Sequence, residues 1–236
     1  MTINELFDYI VKNNIKLVGF CGKLGHGKSY IADQLTNLLV TNGVSVYRIA
    51  FAGYIKDIVN QIWNLRKDDY SRFYFDSLKF TKFIDELKSK FPSKTDIINE
   101  ATLDLIELTK LHLTKKELIT RRLYQYIGTD LLRNLDADFH VKKLKEKVTI
   151  FSSCSLILDG IVIIDDVRFE NEAKFVKDNG ILCKVVKEGS INENIASVNN
   201  HVSENVNLDE YIQFVVENVI KNDIAKSSVI KYGRRC

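Results

Sequence analysis

The chain has a single proline in 236 residues, four cysteines, and 34 basic against 31 acidic side chains. Each scarcity excludes something. One proline and 11 glycines rule out a collagen-like repeat. Cys21, Cys154, Cys183 and Cys236 are far apart, with no CxxC zinc spacing and no small disulfide framework. Cys21 and Cys183 sit in apolar runs and read as small buried side chains, so a reducing, intracellular setting is expected. A formal charge of +3 carries no basic stripe of the kind a dedicated DNA- or RNA-binding protein shows. The longest apolar stretch, Leu156–Ile164, is interrupted by Asp159 and is half a membrane span. Acids at Glu5 and Asp8 do not suit a signal peptide. No internal repeat and no low-complexity linker are present.

What remains is a globular balance, 45% hydrophobic and 28% charged, in a length that buries a core without staples. Short apolar runs at Lys16–Cys21, Val44–Phe51, Ile161–Asp165, Ile181–Val186 and Gln213–Glu217 predict five strands. Helical spacing predicts helices over Lys28–Thr41, Tyr54–Leu65, Phe139–Lys147 and Phe169–Asp178, with Asn42-Gly43 and Asn179-Gly180 as stops. Thr114-x-x-Glu117 is a capping-box signature for a helix ending before Gly128, and a further helix is expected after the fifth strand. Alternating strand and helix imply an α/β fold, a parallel sheet wrapped on both faces. Arg66–Leu113 breaks the pattern, with crowded aromatics and a helical spacing over Asp96–Leu113. The expected organisation is a core of residues 1–65 and 114–236 with a mostly helical insert at 66–113.

Gly22-Lys23-Leu24-Gly25-His26-Gly27-Lys28-Ser29 fits G-x-x-x-x-G-K-[ST], with an apolar strand before it and an amphipathic helix after it. Glycines let the backbone turn tightly and aim N–H groups inward, and the helix N-terminus adds positive potential. The expected ATP-binding stretch is Gly22, Gly25, His26, Gly27, Lys28, Ser29 and Tyr30, with the His26 side chain turned away from the phosphates. Lys28 would reach the β- and γ-phosphates, and Ser29 would ligate Mg²⁺. No N-K-x-D guanine signature occurs, which argues against a GTPase. A small P-loop chain with a helical insert between strands two and three suits a nucleotide or small-molecule kinase.

Three further clusters carry charge. Arg121 and Arg122 are adjacent, about 100° apart on a helix, so at most one faces a site. Asp165-Asp166-Val167-Arg168 follows the buried third strand, where open α/β sheets bind ligands. There Asp166 can support Mg²⁺ or a sugar hydroxyl, and Arg168 can neutralise a transferring phosphoryl group. Glu172 lies four residues beyond Arg168, and the bland alternative is that the two simply pair. Asn200-His201-Val202-Ser203-Glu204 is weak alone.

In order and content these segments resemble the deoxynucleoside monophosphate kinases of bacteriophages and large DNA viruses, within the P-loop nucleoside monophosphate kinase superfamily. The specific pieces are R-x-x-x-Q-x-x-G-T-D, ending at Asp130, and D-V-R-F-x-N-E at Asp166–Glu172. The resemblance implies transfer of the ATP γ-phosphoryl group to a deoxynucleoside 5′-monophosphate, with Mg²⁺ as cofactor. It implies catalytic roles for Lys28, Arg122 and Arg168. The acceptor would be bordered by Ile55, Lys56, Asp57, Arg72, Arg122, Gly128, Thr129 and Asp130. Phe139, His140 and Val141 would lie near the base, and Asp166, Arg168 and Glu172 near sugar and phosphate. The family often carries tryptophan or another aromatic where His140 stands. Expected partners are small-molecule nucleotides, neither nucleic acid nor membrane, with a homodimer left open, in a cytoplasm, the host's if the chain is viral. Two alternatives stay open: a phosphomevalonate kinase-like enzyme on the same scaffold, and a non-catalytic nucleotide-binding module.

Overall fold

Leu17–Cys21 (β1) is apolar or glycine throughout, and every residue of it is buried. That is the signature of a central strand in a parallel sheet. In the computed structural model, which describes residues 1–63, 75–112, 116–153, 160–187 and 206–218, β1 pairs in parallel with Ile161–Ile164 (β3) and Ile181–Lys187 (β4). Val46–Ile49 (β2) flanks β3, and Phe214–Asn218 (β5) flanks β4, so the order is β2-β3-β1-β4-β5. Gly19 stands opposite Ile164 on one side and Leu182 on the other.

One face is covered by α1 (Ile3–Lys12) and α2 (Lys28–Thr41), whose Leu6, Ile10, Leu35 and Leu39 pack on Val18, Phe20 and Ile163. Thr2 and Glu5 cap α1 reciprocally. The other face is covered by α7 (Phe139–Ser153) and α8 (Glu170–Asn179). Leu144, Ala173 and Val176 pack there on Leu17, Val162 and Leu182. At Gly180, just past α8, a β-carbon would lie 2.0 Å from the Leu17 carbonyl oxygen, so the chain turns into β4 only with glycine in that place.

A third core lies apart from the sheet. It joins α3 (Gly53–Trp63), α4 (Ser77–Lys90), α5 (Thr95–His112) and α6 (Lys116–Gln125) around Trp63, Phe80, Ile98, Leu105 and Leu123. The helical insert is therefore continuous with α3 and α6 through one hydrophobic core. Pro92 opens a 3₁₀ turn between α4 and α5, a place where its missing N–H costs nothing.

Three expectations change. The second strand is four residues rather than eight: the Val44 N–H donates to the Leu39 carbonyl at the end of α2, and past Ile49 the Phe51 and Ala52 N–H groups turn to the Asp166 carboxylate. The helix expected to stop before Gly128 runs on as a π-helix over Tyr126–Arg133. Ile127, Leu131 and Leu132 are completely buried there, and that packing outweighs the roughly 1 kcal/mol helix penalty of a glycine. Finally, α7 extends to Ser153, past the expected Lys147. Among the described residues no helix is long and apolar enough to cross a membrane. Thr114 of the expected capping box, Arg72, Asn200–Glu204, Cys154, Cys236 and the expected C-terminal helix lie outside the described residues.

Candidate active site

The glycine-rich loop joins β1 to α2. Gly22, Gly25 and Gly27 hold φ of 135°, 82° and 84°, a left-handed region closed to most side chains. Lys28 Nζ donates to the Gly22 and Lys23 carbonyls at 2.7 and 3.0 Å, which places the ammonium inside the curl of the loop. Ser29 is exposed in the first turn of α2. His26 Nδ1 donates to the Val185 carbonyl at 3.3 Å, away from the curl and towards β4. Tyr30 is half exposed and accepts from Gln34 on the outside of α2. It borders neither of the cavities described below.

Two cavities flank the carboxyl ends of the strands. The smaller, about 250 Å³, is lined by Gly22, Lys23 and Lys28 of the loop and by Lys184 and the 206–209 segment. The larger, about 400 Å³, lies between the sheet and the helical layer. Its wall includes Ile55 and Lys56 of α3, Arg121 of α6, and Gly128, Thr129 and Arg133 of the π-helix. His140, Asp166, Arg168 and Glu172 also line it. Arg168 is the one described residue that lines both cavities.

The acids behind this wall have structural partners. Asp166 accepts the Phe51 and Ala52 N–H groups at 2.9 Å each, one per oxygen. Burial pushes its carboxyl above the usual range, against the pull of those two donors. Asp165 pairs with Arg48 at 2.6 Å. Glu172 does not pair with the Arg168 side chain. One of its oxygens accepts the Arg168 and Phe169 N–H groups at 2.8 and 3.2 Å, and the other takes the Arg133 guanidinium. Burial pushes the Glu172 carboxyl up to about 7, while Arg133 pulls it down. The same desolvation lowers Arg133.

The expected acceptor residues divide. Ile55, Lys56, Gly128, Thr129, His140, Asp166, Arg168 and Glu172 all line the larger cavity. Arg122 does not. It is exposed, and its neighbour Arg121 is the one that faces the cavity, as the 100° step along a helix requires of one or the other. Asp57 and Asp130 are also exposed and off the wall. Phe139 and Val141 are buried in two different cores, Phe139 beside Tyr54 with ring centroids 5.6 Å apart. His140 Nε2 donates to the Gly128 carbonyl at 2.9 Å, and its Nδ1 has no hydrogen-bond partner among the described residues. Burial pushes its pKa down to about 4, so the ring is neutral at pH 7.

Two residues escaped sequence reasoning. Arg133 lines the larger cavity because the helix continues through Gly128, which puts it one turn beyond Thr129 on the same face. The signal was the i, i+4 spacing, concealed by the glycine. Asn218, at the end of β5, is 5% exposed and donates to the His26 carbonyl at 3.0 Å. A β-carbon at Gly27 would meet its Nδ2 at 2.1 Å, so loop and strand touch without space for a side chain. Nothing local in the sequence marks that contact.

Sheet order, loop and flanking cavities define a P-loop kinase fold. Residues 28–223 match the family model for deoxynucleotide monophosphate kinases, and the chain belongs to that family. A protein of Acanthamoeba polyphaga mimivirus named "Putative deoxynucleotide monophosphate kinase" is 35% identical over 91 residues, 36% of this chain and 45% of that protein. The chain thus spans less than half the length of the curated relative it matches.

Proposed function

We propose that the protein transfers the γ-phosphoryl group of ATP to deoxynucleoside 5′-monophosphates, giving the diphosphate and ADP, for DNA precursor synthesis. The observation that carries the reading is Arg168, a cation at the end of β3 lining both the cavity beside the phosphate loop and the larger one across from it. Donor phosphates belong on the loop, where turned backbone and Lys28 offer donors and charge. The larger cavity is within the size range of small-ligand sites and carries Lys56, Arg121, Arg133 and Arg168 on its wall.

In the reaction an acceptor phosphate oxygen attacks the γ-phosphorus, the bond to the β-bridging oxygen breaks, and ADP leaves with the electron pair. A phosphate dianion is already a nucleophile, so no side chain has to remove a proton. The protein's share is positioning and charge neutralisation. Lys28 acts on the donor side and Arg168 between donor and acceptor. The loop hydroxyl fits Mg²⁺: Ser29 is exposed at the start of α2, beside the loop, while Asp166 has both oxygens on backbone N–H groups. Ser29 would hold the ion, which when bound offsets charge on the β- and γ-phosphates.

This reading makes small-molecule nucleotides the partners. A coupled ADP-release assay across all deoxynucleoside and ribonucleoside monophosphates tests it, with phosphomevalonate as a control. ADP formation dependent on a deoxynucleoside monophosphate is expected. Turnover with phosphomevalonate alone, or tight ATP binding without product, would reject it.

A further inference from the structure

The largely buried pair of Arg133 and Glu172 sits in the cavity wall, and stability alone does not account for it. Replacing a buried ion pair with apolar residues of similar volume is often neutral or stabilising. The Arg133 side chain keeps 12% of its exposure and Glu172 3%. Arg133 lies with its guanidinium carbon 3.5 Å from the centroid of the Phe169 ring. Nη2 donates to Glu172, and Nη1 to the Ala137 carbonyl and Asn171 Oδ1 at 3.3 and 3.4 Å. These contacts fix the plane of the group and use three of its five N–H bonds. Nε–H and the second Nη2 hydrogen donate to none of the described residues.

We propose that Arg133 binds the phosphate of the acceptor, and that Glu172 is its positioning residue. The proposal rests on the reaction proposed above for the identity of the anion. A planar fork with free donors, held on one ring face and by a buried carboxylate, is preorganised for phosphate oxygens. Glu172 also fixes the Arg168 backbone through its other oxygen. One carboxylate therefore sets both the side chain of Arg133 and the chain position of Arg168. Discrimination between a deoxynucleoside monophosphate and the bare deoxynucleoside follows from this arrangement, since the nucleoside leaves the fork unfilled.

The test is equilibrium binding of the full chain to each deoxynucleoside monophosphate and its deoxynucleoside, by calorimetry. Wild type is compared with Arg133→Lys and with the double variant Arg133→Met/Glu172→Leu, which removes the pair without leaving a buried charge. The preference of wild type for the phosphorylated ligand should drop at least about tenfold in either variant. In Arg133→Lys, KM for the acceptor should rise by a similar factor, with KM for ATP within about twofold. Glu172→Gln, which keeps an acceptor oxygen, should give a smaller loss in the same direction. A folded Arg133→Lys or double variant with an unchanged preference would show the pair to be structural and overturn the proposal. So would a wild type that binds nucleoside and monophosphate alike. The ratio comes from binding, so either folded variant decides. Failure of the reaction itself shows separately, as a wild type that binds the monophosphate but releases no ADP.

Discussion

Asp166 Oδ1 accepts the Phe51 N–H at 2.9 Å, across 115 residues of chain. Its other oxygen takes the N–H of Ala52. The end of β3 is thereby tied to the turn that launches α3, and α3 carries Ile55 and Lys56 into the larger cavity.

Asp166→Ala should therefore destabilise the fold. Two partly buried backbone donors would lose their acceptor, which costs about 1–3 kcal/mol each. Asp166→Asn keeps one acceptor oxygen and should cost less. Denaturant unfolding of the three proteins measures the difference, and equal midpoints for Asp166→Ala and wild type would refute the anchoring role.

Lys28→Ala should lower kcat by about 100-fold or more while leaving the unfolding midpoint unchanged. The lysine donates to the loop carbonyls of Gly22 and Lys23 and takes no part in the cores. Retention of more than about a tenth of wild-type kcat, under roughly 1.4 kcal/mol in barrier, would contradict the phosphate-loop assignment.

Arg168 should act on kcat more than on either KM. Its backbone N–H is pinned by Glu172 at 2.8 Å, and its side chain borders both cavities. An arginine on the transferring group is worth about 10³–10⁵ in kcat in other phosphoryl-transfer enzymes. Arg168→Lys should not rescue, since a point charge lacks the planar fork. Steady-state kinetics decide it: a kcat for Arg168→Ala within a few-fold of wild type would remove the residue from catalysis.

His140 should make the protein acid-sensitive. Its folded pKa of about 4 is below the ordinary value of 6.5, and desolvation is the main cause. Between those values the unfolded chain binds a proton that the folded one refuses. The stability this group contributes is therefore complete above about 6.5 and is lost as pH falls towards 4. His140→Gln, which keeps a donor for the Gly128 carbonyl, should lose less stability than wild type between pH 7 and 4.5. Parallel Tm-versus-pH curves for the two proteins would show that the ring is not held neutral by burial.

Much of this molecule is local in origin and so legible in the chain. Five apolar runs became five strands, and the two that are buried at every position, β1 and β3, are apolar or glycine throughout, as burial on both faces requires. The phosphate loop is equally local: glycines at positive φ, a preceding strand and a following helix are all encoded within about 25 residues. Helix α2 begins and ends where Lys28 and Asn42-Gly43 place it, since its caps are adjacent in sequence.

Only the tertiary structure decided the partners of the charges. Sequence spacing offered Arg168 to Glu172, yet Glu172 chose Arg133, 39 residues away, because the fold brings the two side chains together on the same wall. Two adjacent arginines differ by a rotation about a helix axis, and only the packing of α6 sets that rotation so that Arg121 meets the cavity. Glycine at 128 argued for a helix end, but burial of Ile127, Leu131 and Leu132 carried the helix through it and brought Arg133 to the site. Local rules fix where a strand or a phosphate turn must be. Side chains that meet across the fold are chosen by burial and packing, which no short stretch of sequence contains.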